Sequence, residues 1–88
     1  MLVRFAESFT RDLRHVREPA TLRRVREAIE RLEGAEALAQ VPHVKKLTGK
    51  GPYFRLRVGD YRIGMRVEGE VVTFMRILHR REIYRFFP

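Results

Sequence analysis

A chain of 88 residues has room for one domain with a modest core. It holds no cysteine, which excludes a disulfide framework and thiolate metal sites, and no run approaches the ~18 apolar residues of a membrane span. Net charge is +8, from sixteen arginines and only three lysines, and it is unevenly placed: residues 1–42 carry +1 and residues 43–88 carry +7. The second half should therefore attract phosphate backbones or an acidic protein, with binding that weakens steeply in salt. Glu7 comes too early for a secretory leader, so a cytoplasmic protein is expected.

Leu2 to Phe5 reads as a short first strand. Phe9, Leu13 and Val16 then follow helical spacing, with Glu7 or Ser8 as the cap. Glu18-Pro19 breaks the chain, and proline suits the first turn of a second helix. Leu22, Val25, Ile29 and Leu32 should line one face of that helix. Arg23, Arg24, Arg26, Glu27, Glu30, Arg31 and Glu33 cover the other side, with Arg26–Glu30 and Glu27–Arg31 placed to pair one turn apart. Gly34 ends or bends the helix, and Ala35 to Gln40 continue as a short helical piece. Two amphipathic helices in succession predict a packed hairpin.

The period then changes from 3.6 to 2. After the turn-rich Thr48-Gly49-Lys50-Gly51-Pro52, the residues Phe54, Leu56 and Val58 face one way while Tyr53, Arg55 and Arg57 face the other. Gly59-Asp60 makes a tight turn. Tyr61, Ile63, Met65 and Val67 alternate with Arg62, Gly64, Arg66 and Glu68, and Gly69 supports another hairpin turn. Val71 to His79 gives a long last strand, apolar on both faces near its middle. The order β-α-α-β-β-β predicts an α+β fold spanning residues 1–88 as a single domain. Its antiparallel sheet would have about four strands, with the two-helix hairpin packed on one face.

This alternation has a functional consequence. If the two Arg-bearing strands pair, their apolar sets must both face the helices, which puts Arg55, Arg57, Arg62 and Arg66 together on the open face. Like charges side by side on a sheet repel, and guanidinium forks match phosphate oxygens, so a phosphate ligand would relieve the repulsion. Screening by Asp60, Glu68 or Glu70 is the alternative. In the C-terminal cluster His79-Arg80-Arg81-Glu82-Ile83-Tyr84, His79 has the chemistry of an acid or base. Arg81 could neutralise a developing phosphorane, and Tyr84 could stack on a base or donate a proton. His15 and His43 have no motif around them and read as surface residues. No Gly-rich phosphate loop, catalytic carboxylate pair or metal-ligand spacing appears, so neither cofactor nor metal is expected.

Lys46-Leu47-Thr48-Gly49, then Tyr53-Phe54-Arg55-Leu56-Arg57-Val58-Gly59-Asp60-Tyr61-Arg62, and His79 to Tyr84 resemble the RelE toxins of the RelE/ParE superfamily. The resemblance covers the whole chain in length and element order and is densest from residue 45 onward. It implies a microbial ribonuclease-like fold and a type II toxin that cleaves messenger RNA in the ribosomal A site. The implied chemistry is attack of a ribose 2′-hydroxyl on the adjacent phosphate. By the same resemblance, Arg62 and Arg81 would stabilise the phosphorane, with Tyr84 orienting the substrate and His79 as a further catalytic candidate. Lys45, Lys46, Arg55, Arg57, Arg66 and Arg80 would bind RNA. The chain departs from the family pattern where lysines usually stand at Arg55 and Arg57, and at Thr48, often basic in relatives. Arginine stays protonated near pH 7 and is a poor proton acceptor.

The implied partners are the ribosome with its message and a small, partly helical and acidic antitoxin. Contact with DNA would be only indirect, through the antitoxin complex, and no membrane partner is expected. Phe86 and Phe87 would either meet the antitoxin or dock on the core. Two other readings compete. A ParE-like inhibitor of DNA gyrase is suggested by Arg76-Ile77-Leu78-His79, and a non-catalytic basic domain that only binds RNA or protein is the other.

Overall fold

The computed structural model describes residues 1–49 and 51–88; Lys50, in the middle of the predicted Thr48–Pro52 turn, lies outside the described residues. The strands β1 (Leu2–Phe5), β2 (Val44–Lys46), β3 (Tyr53–Val58), β4 (Tyr61–Glu68) and β5 (Val71–His79) form one sheet in the order β1-β5-β4-β3-β2. The helices are α1 (Glu7–Leu13), α2 (Pro19–Gly34) and α3 (Ile83–Phe86), with a 3-10 turn at Leu38–Gln40.

The α+β class agrees with the sequence reading, but β2 and α3 are additional elements, and the five strands are not all antiparallel. β2 is a three-residue strand paired antiparallel with β3, too short to show a period of its own. β1 runs parallel to β5, a pairing that needs a long connection, and the whole chain between them supplies it. Gly59 opens the β3–β4 turn at φ 62°, the conformation that a two-residue hairpin asks of its first central position.

α1 packs on β5, and α2 spans β1 and β3. Between helices and sheet lies the main core, built on Phe9, Leu32, Ile63, Met65, Val72, Phe74 and Ile77. Phe74 takes Phe5 and Phe9 edge-on, with ring centroids 5.6 and 5.2 Å away. The buried stripe of α2 is Thr21, Val25, Ala28 and Leu32, whereas Leu22 is exposed and Ile29 half-buried. The helix is thus rotated from the predicted face, with small Thr21 and Ala28 taking buried positions beside Val25 and Leu32.

β1 ends at Phe5, so the second half of β5 would be an open edge, and α1 covers it. The Ser8 hydroxyl donates to the Met75 carbonyl. The Asp12 carboxylate accepts from Ile77 N (3.1 Å) and from Arg76 Nε (2.7 Å) and Nη2 (3.2 Å). Ser8 therefore serves the strand edge; α1 begins after Ala6, without a side-chain cap.

Two features shape the opposite face of the sheet. Gly64 pairs with Arg76 but Met65 with Phe74, so Met75 is an extra residue in β5. This bulge lets both Phe74 and Ile77 enter the core, which explains the apolar middle of the strand. The C-terminal segment folds back over Gly64 as well. Ile83 and Phe87 are buried, the Phe87 ring lies edge-on to Tyr53 at 5.6 Å, and Phe86 stays exposed. Docking on the sheet therefore accounts for Phe87, while Phe86 points outward. Among the described residues no helix is long and apolar enough to cross a membrane.

Candidate nucleic-acid interface

The β3–β4 register pairs Arg57 with Arg62, Arg55 with Gly64 and Tyr53 with Arg66. Partners in register share a face, so Arg55, Arg57, Arg62 and Arg66 stand together on the side away from α1 and α2, as the alternation predicted. β2 extends the row, with Lys45 paired to Arg55. Arg66 is partly neutralised by Glu68, at 3.1 Å from Nε.

Arg62 is the centre of this cluster. Its Nη1 donates to the carbonyls of Gly59 (2.8 Å) and Tyr61 (2.9 Å), which fixes the guanidinium beside the β3–β4 turn. Partial burial, then the neighbouring charges of Arg55, Arg57 and Arg80, lower its pKa from the ordinary arginine value, while Tyr84 acts in the other direction. It remains a cation near neutral pH, held where its charge is least comfortable. Such a cluster of guanidiniums suits an anion.

The other candidates divide by face. Arg80 is anchored by its backbone N–H to the Asp60 carbonyl (2.8 Å), and it lines the cleft at Arg62, which Arg81 does not. Arg81 is exposed in the turn before α3, its backbone N–H donating to His79 Nδ1 at 3.3 Å. Tyr84 rides on α3, 60% exposed, its body free to stack. His79 is on the opposite face: it pairs with Tyr61, whose ring it meets edge-on at 5.7 Å, and it lines a cleft with Asp12 and His15. The β5 bulge is the physical reason, since one extra residue reverses which side chains face the arginines. Lys46 also turns away, with its Nζ 6.0 Å from the Phe54 ring centroid. His79 and Lys46 are therefore not part of the assembly around Arg62.

Sequence reasoning missed three contributors. A cleft of about 540 Å³ adjoins the cluster, and Arg24 and Arg31 of α2 line it together with His43, Arg57, Arg62 and Arg80. Its acidic lining residues are Glu27 and Asp60. His43 adopts φ 67°, an unusual backbone for a residue with a side chain. Its carbonyl accepts from Arg57 N (3.0 Å) and Arg55 Nη1 (3.1 Å), and its Nδ1 accepts from Arg57 Nη2 (3.0 Å). No motif around His43 signals this; only the register of β3 brings it to the arginines. The assembled groups can grip a phosphate between guanidiniums and offer Tyr84 as a stacking surface.

Residues 3–84 match the family described as the ParE toxin of type II toxin-antitoxin systems, parDE. The chain is 42% identical to Toxin RelE3 of Methanocaldococcus jannaschii over 90 residues, covering 100% of both. It superposes on a chain of the RelB-RelE antitoxin-toxin complex from Methanococcus jannaschii with TM-score 0.82 and 39% identity, covering 97% of this chain and 99% of that one. An archaeal RelE-RelB complex from Pyrococcus horikoshii gives TM-score 0.73 at 26% identity, over 93% of this chain and 97% of that one.

Proposed function

The chain belongs to the toxins of type II toxin-antitoxin systems, in the RelE/ParE superfamily, and from that membership we propose that it is a ribosome-dependent messenger RNA endoribonuclease. The observation that carries this reading is the arginine cluster around Arg62, with Arg57 as its register partner, Arg55 on the same face of β3 and Arg80 lining the same cleft. In the proposed reaction the ribose 2′-hydroxyl attacks the adjacent phosphate. Negative charge grows on the non-bridging oxygens as the pentacoordinate phosphorane forms, and fixed cations stabilise it. Arg62, pinned by two carbonyls, needs no reorganisation for that task. Arg80 and Arg57 flank it, with Arg55 and Lys45 on the strand of the message to one side. Tyr84 stacks on a base and orients it. Arg81, exposed in the adjoining turn, meets the RNA backbone after the ribosome positions it. The 2′-hydroxyl requirement restricts the substrate to RNA.

RelE relatives are crystallised with RelB antitoxins, which supports a cognate antitoxin for this chain too. An acidic segment of such a partner would suit the same arginine face. The setting is the cytoplasm, where ribosomes are, and the whole 88-residue chain acts as one domain.

A gyrase-inhibitor reading is favoured by the family description, which names ParE. The test that separates the two is an in vitro translation reaction with purified protein, followed by primer extension on the message. Ribosome-dependent cuts leaving a free 5′-hydroxyl support the ribonuclease. An intact message together with blocked DNA supercoiling by gyrase assigns the chain to the ParE activity instead.

A further inference from the structure

The geometry points to His43 as the proton acceptor for the 2′-hydroxyl, an inference that rests on the ribonuclease reading above. The reaction needs a base, and the cations around Arg62 do not supply one: Arg55, Arg57, Arg62 and Arg80 have no acceptor atom, and Lys45, opposite Arg55 on the outer strand, does not line the cleft at Arg62. His79, the histidine that the C-terminal cluster offers, lies on the other face, beside Tyr61. Among the described residues His43 is the imidazole on this side, one hydrogen bond from Arg57, the register partner of Arg62.

That bond also fixes the state of the ring. Arg57 Nη2 only donates, so His43 Nδ1 at 3.0 Å carries a lone pair, and the proton of the neutral imidazole sits on Nε2. In the free protein Arg57 covers the basic nitrogen. A phosphate entering between Arg57 and Arg62 is a stronger acceptor than an imidazole; it draws the guanidinium away and uncovers Nδ1 beside the ribose. The 2′-O–H bond then breaks, with its proton passing to Nδ1. The O2′–P bond forms and the P–O5′ bond breaks. The departing 5′-oxygen takes a proton from solvent, leaving a 2′,3′-cyclic phosphate and a 5′-hydroxyl. The unusual φ of 67° and the two donors on the His43 carbonyl hold its backbone at the edge of β3, and Arg57 holds the ring.

The charges facing His43 are mostly positive. Arg55 and Arg57 approach from β3, Arg62 from β4 and Arg80 from the end of β5. From α2 come Arg24, Arg31 and the acidic Glu27, and from the β3–β4 turn Asp60. Proton transfer to Nδ1 requires that this nitrogen be unprotonated, so cleavage by this route is suppressed in acid.

The deciding experiment measures single-turnover cleavage on ribosomes carrying a defined message, between pH 5.5 and 8.5. His43→Asn is the main variant, because asparagine tolerates the left-handed backbone and its Oδ1 still accepts from Arg57, yet it takes no proton. We expect a loss of about 10²–10⁴-fold with unchanged ribosome binding, and disappearance of the acid limb of the profile. In His43→Gly, suited to the same φ, added imidazole should restore part of the rate. His43→Asn cleaving within about threefold of the parent, or keeping its acid limb, overturns the inference and leaves the ribonuclease reading standing. So does a folded His43→Gly protein that imidazole does not accelerate. A parent protein that cuts no message under any condition overturns both.

Discussion

Gly64→Ala tests how the C-terminal segment is held. A Cβ on Gly64 would lie 2.6 Å from Cγ and Cδ2 of Phe87, far inside the ~3.5–4.0 Å of ordinary carbon contact. Position 64 is in mid-strand, hydrogen-bonded between β3 and β5, so the ring must yield rather than the backbone. If the segment lifts off, the protein loses the burial of Phe87, about 1.5–3 kcal/mol. It also loses the edge-on pair with Tyr53, worth about 0.5–1.5 kcal/mol. Alanine recovers about 0.5–1 kcal/mol over glycine in a strand, so a net cost of about 1–4 kcal/mol is expected. In a Phe87→Ala background the same methyl meets no ring, and Gly64→Ala should become neutral or slightly stabilising. Urea unfolding of the parent, the two single variants and the double variant gives the coupling directly. A coupling of about 2 kcal/mol supports the contact; costs that add to within about 0.5 kcal/mol refute it.

Other outcomes follow from the same geometry. Because Tyr84 sits on the segment that Phe87 anchors, Gly64→Ala should slow message cleavage even at temperatures where the protein stays folded, read by primer extension. Tyr84→Ala should weaken RNA engagement by about 1–3 kcal/mol while Tyr84→Phe retains most of it, if stacking is the role, as competition binding would show. Arg57→Ala should flatten the dependence of log binding constant on log salt by about one unit, and Lys46→Ala, on the opposite face, should leave the slope unchanged. Asp12→Ala removes the acceptor of Arg76 and Ile77 at the β5 edge. With the pair partly exposed, the cost should be about 2 kcal/mol, seen as a lowered melting temperature with cleavage by the remaining folded protein retained.

The arginine face was legible because it follows from alternation alone: once Leu56 and Ile63 must be buried, Arg55, Arg57, Arg62 and Arg66 have only one place to go. The helices were legible as elements, and Val25 and Leu32 of α2 are buried as expected, but small Thr21 and Ala28 complete the stripe in place of Leu22 and Ile29. β2 left no signal because three residues carry no period. The fate of His79 turned on a single inserted residue, Met75, whose bulge exchanges the two faces of β5 beyond it. Pairing between β1 and β5, and the seat of Phe87 on Gly64, join residues far apart in sequence and appear only with the fold. His43 belongs to the same class: its neighbours in sequence say nothing, while its partners, Arg55 and Arg57, arrive from the next strand.

The most direct test of the account is the cleavage rate on message-programmed ribosomes for the parent, Arg62→Ala and Lys46→Ala proteins, at equal occupancy of the ribosome. If Arg62 stabilises the phosphorane from the arginine face, its variant should lose about 10²–10³-fold while Lys46→Ala stays near the parent rate. Parent-level cleavage by a folded Arg62→Ala protein would contradict the assignment of the reacting phosphate to this face.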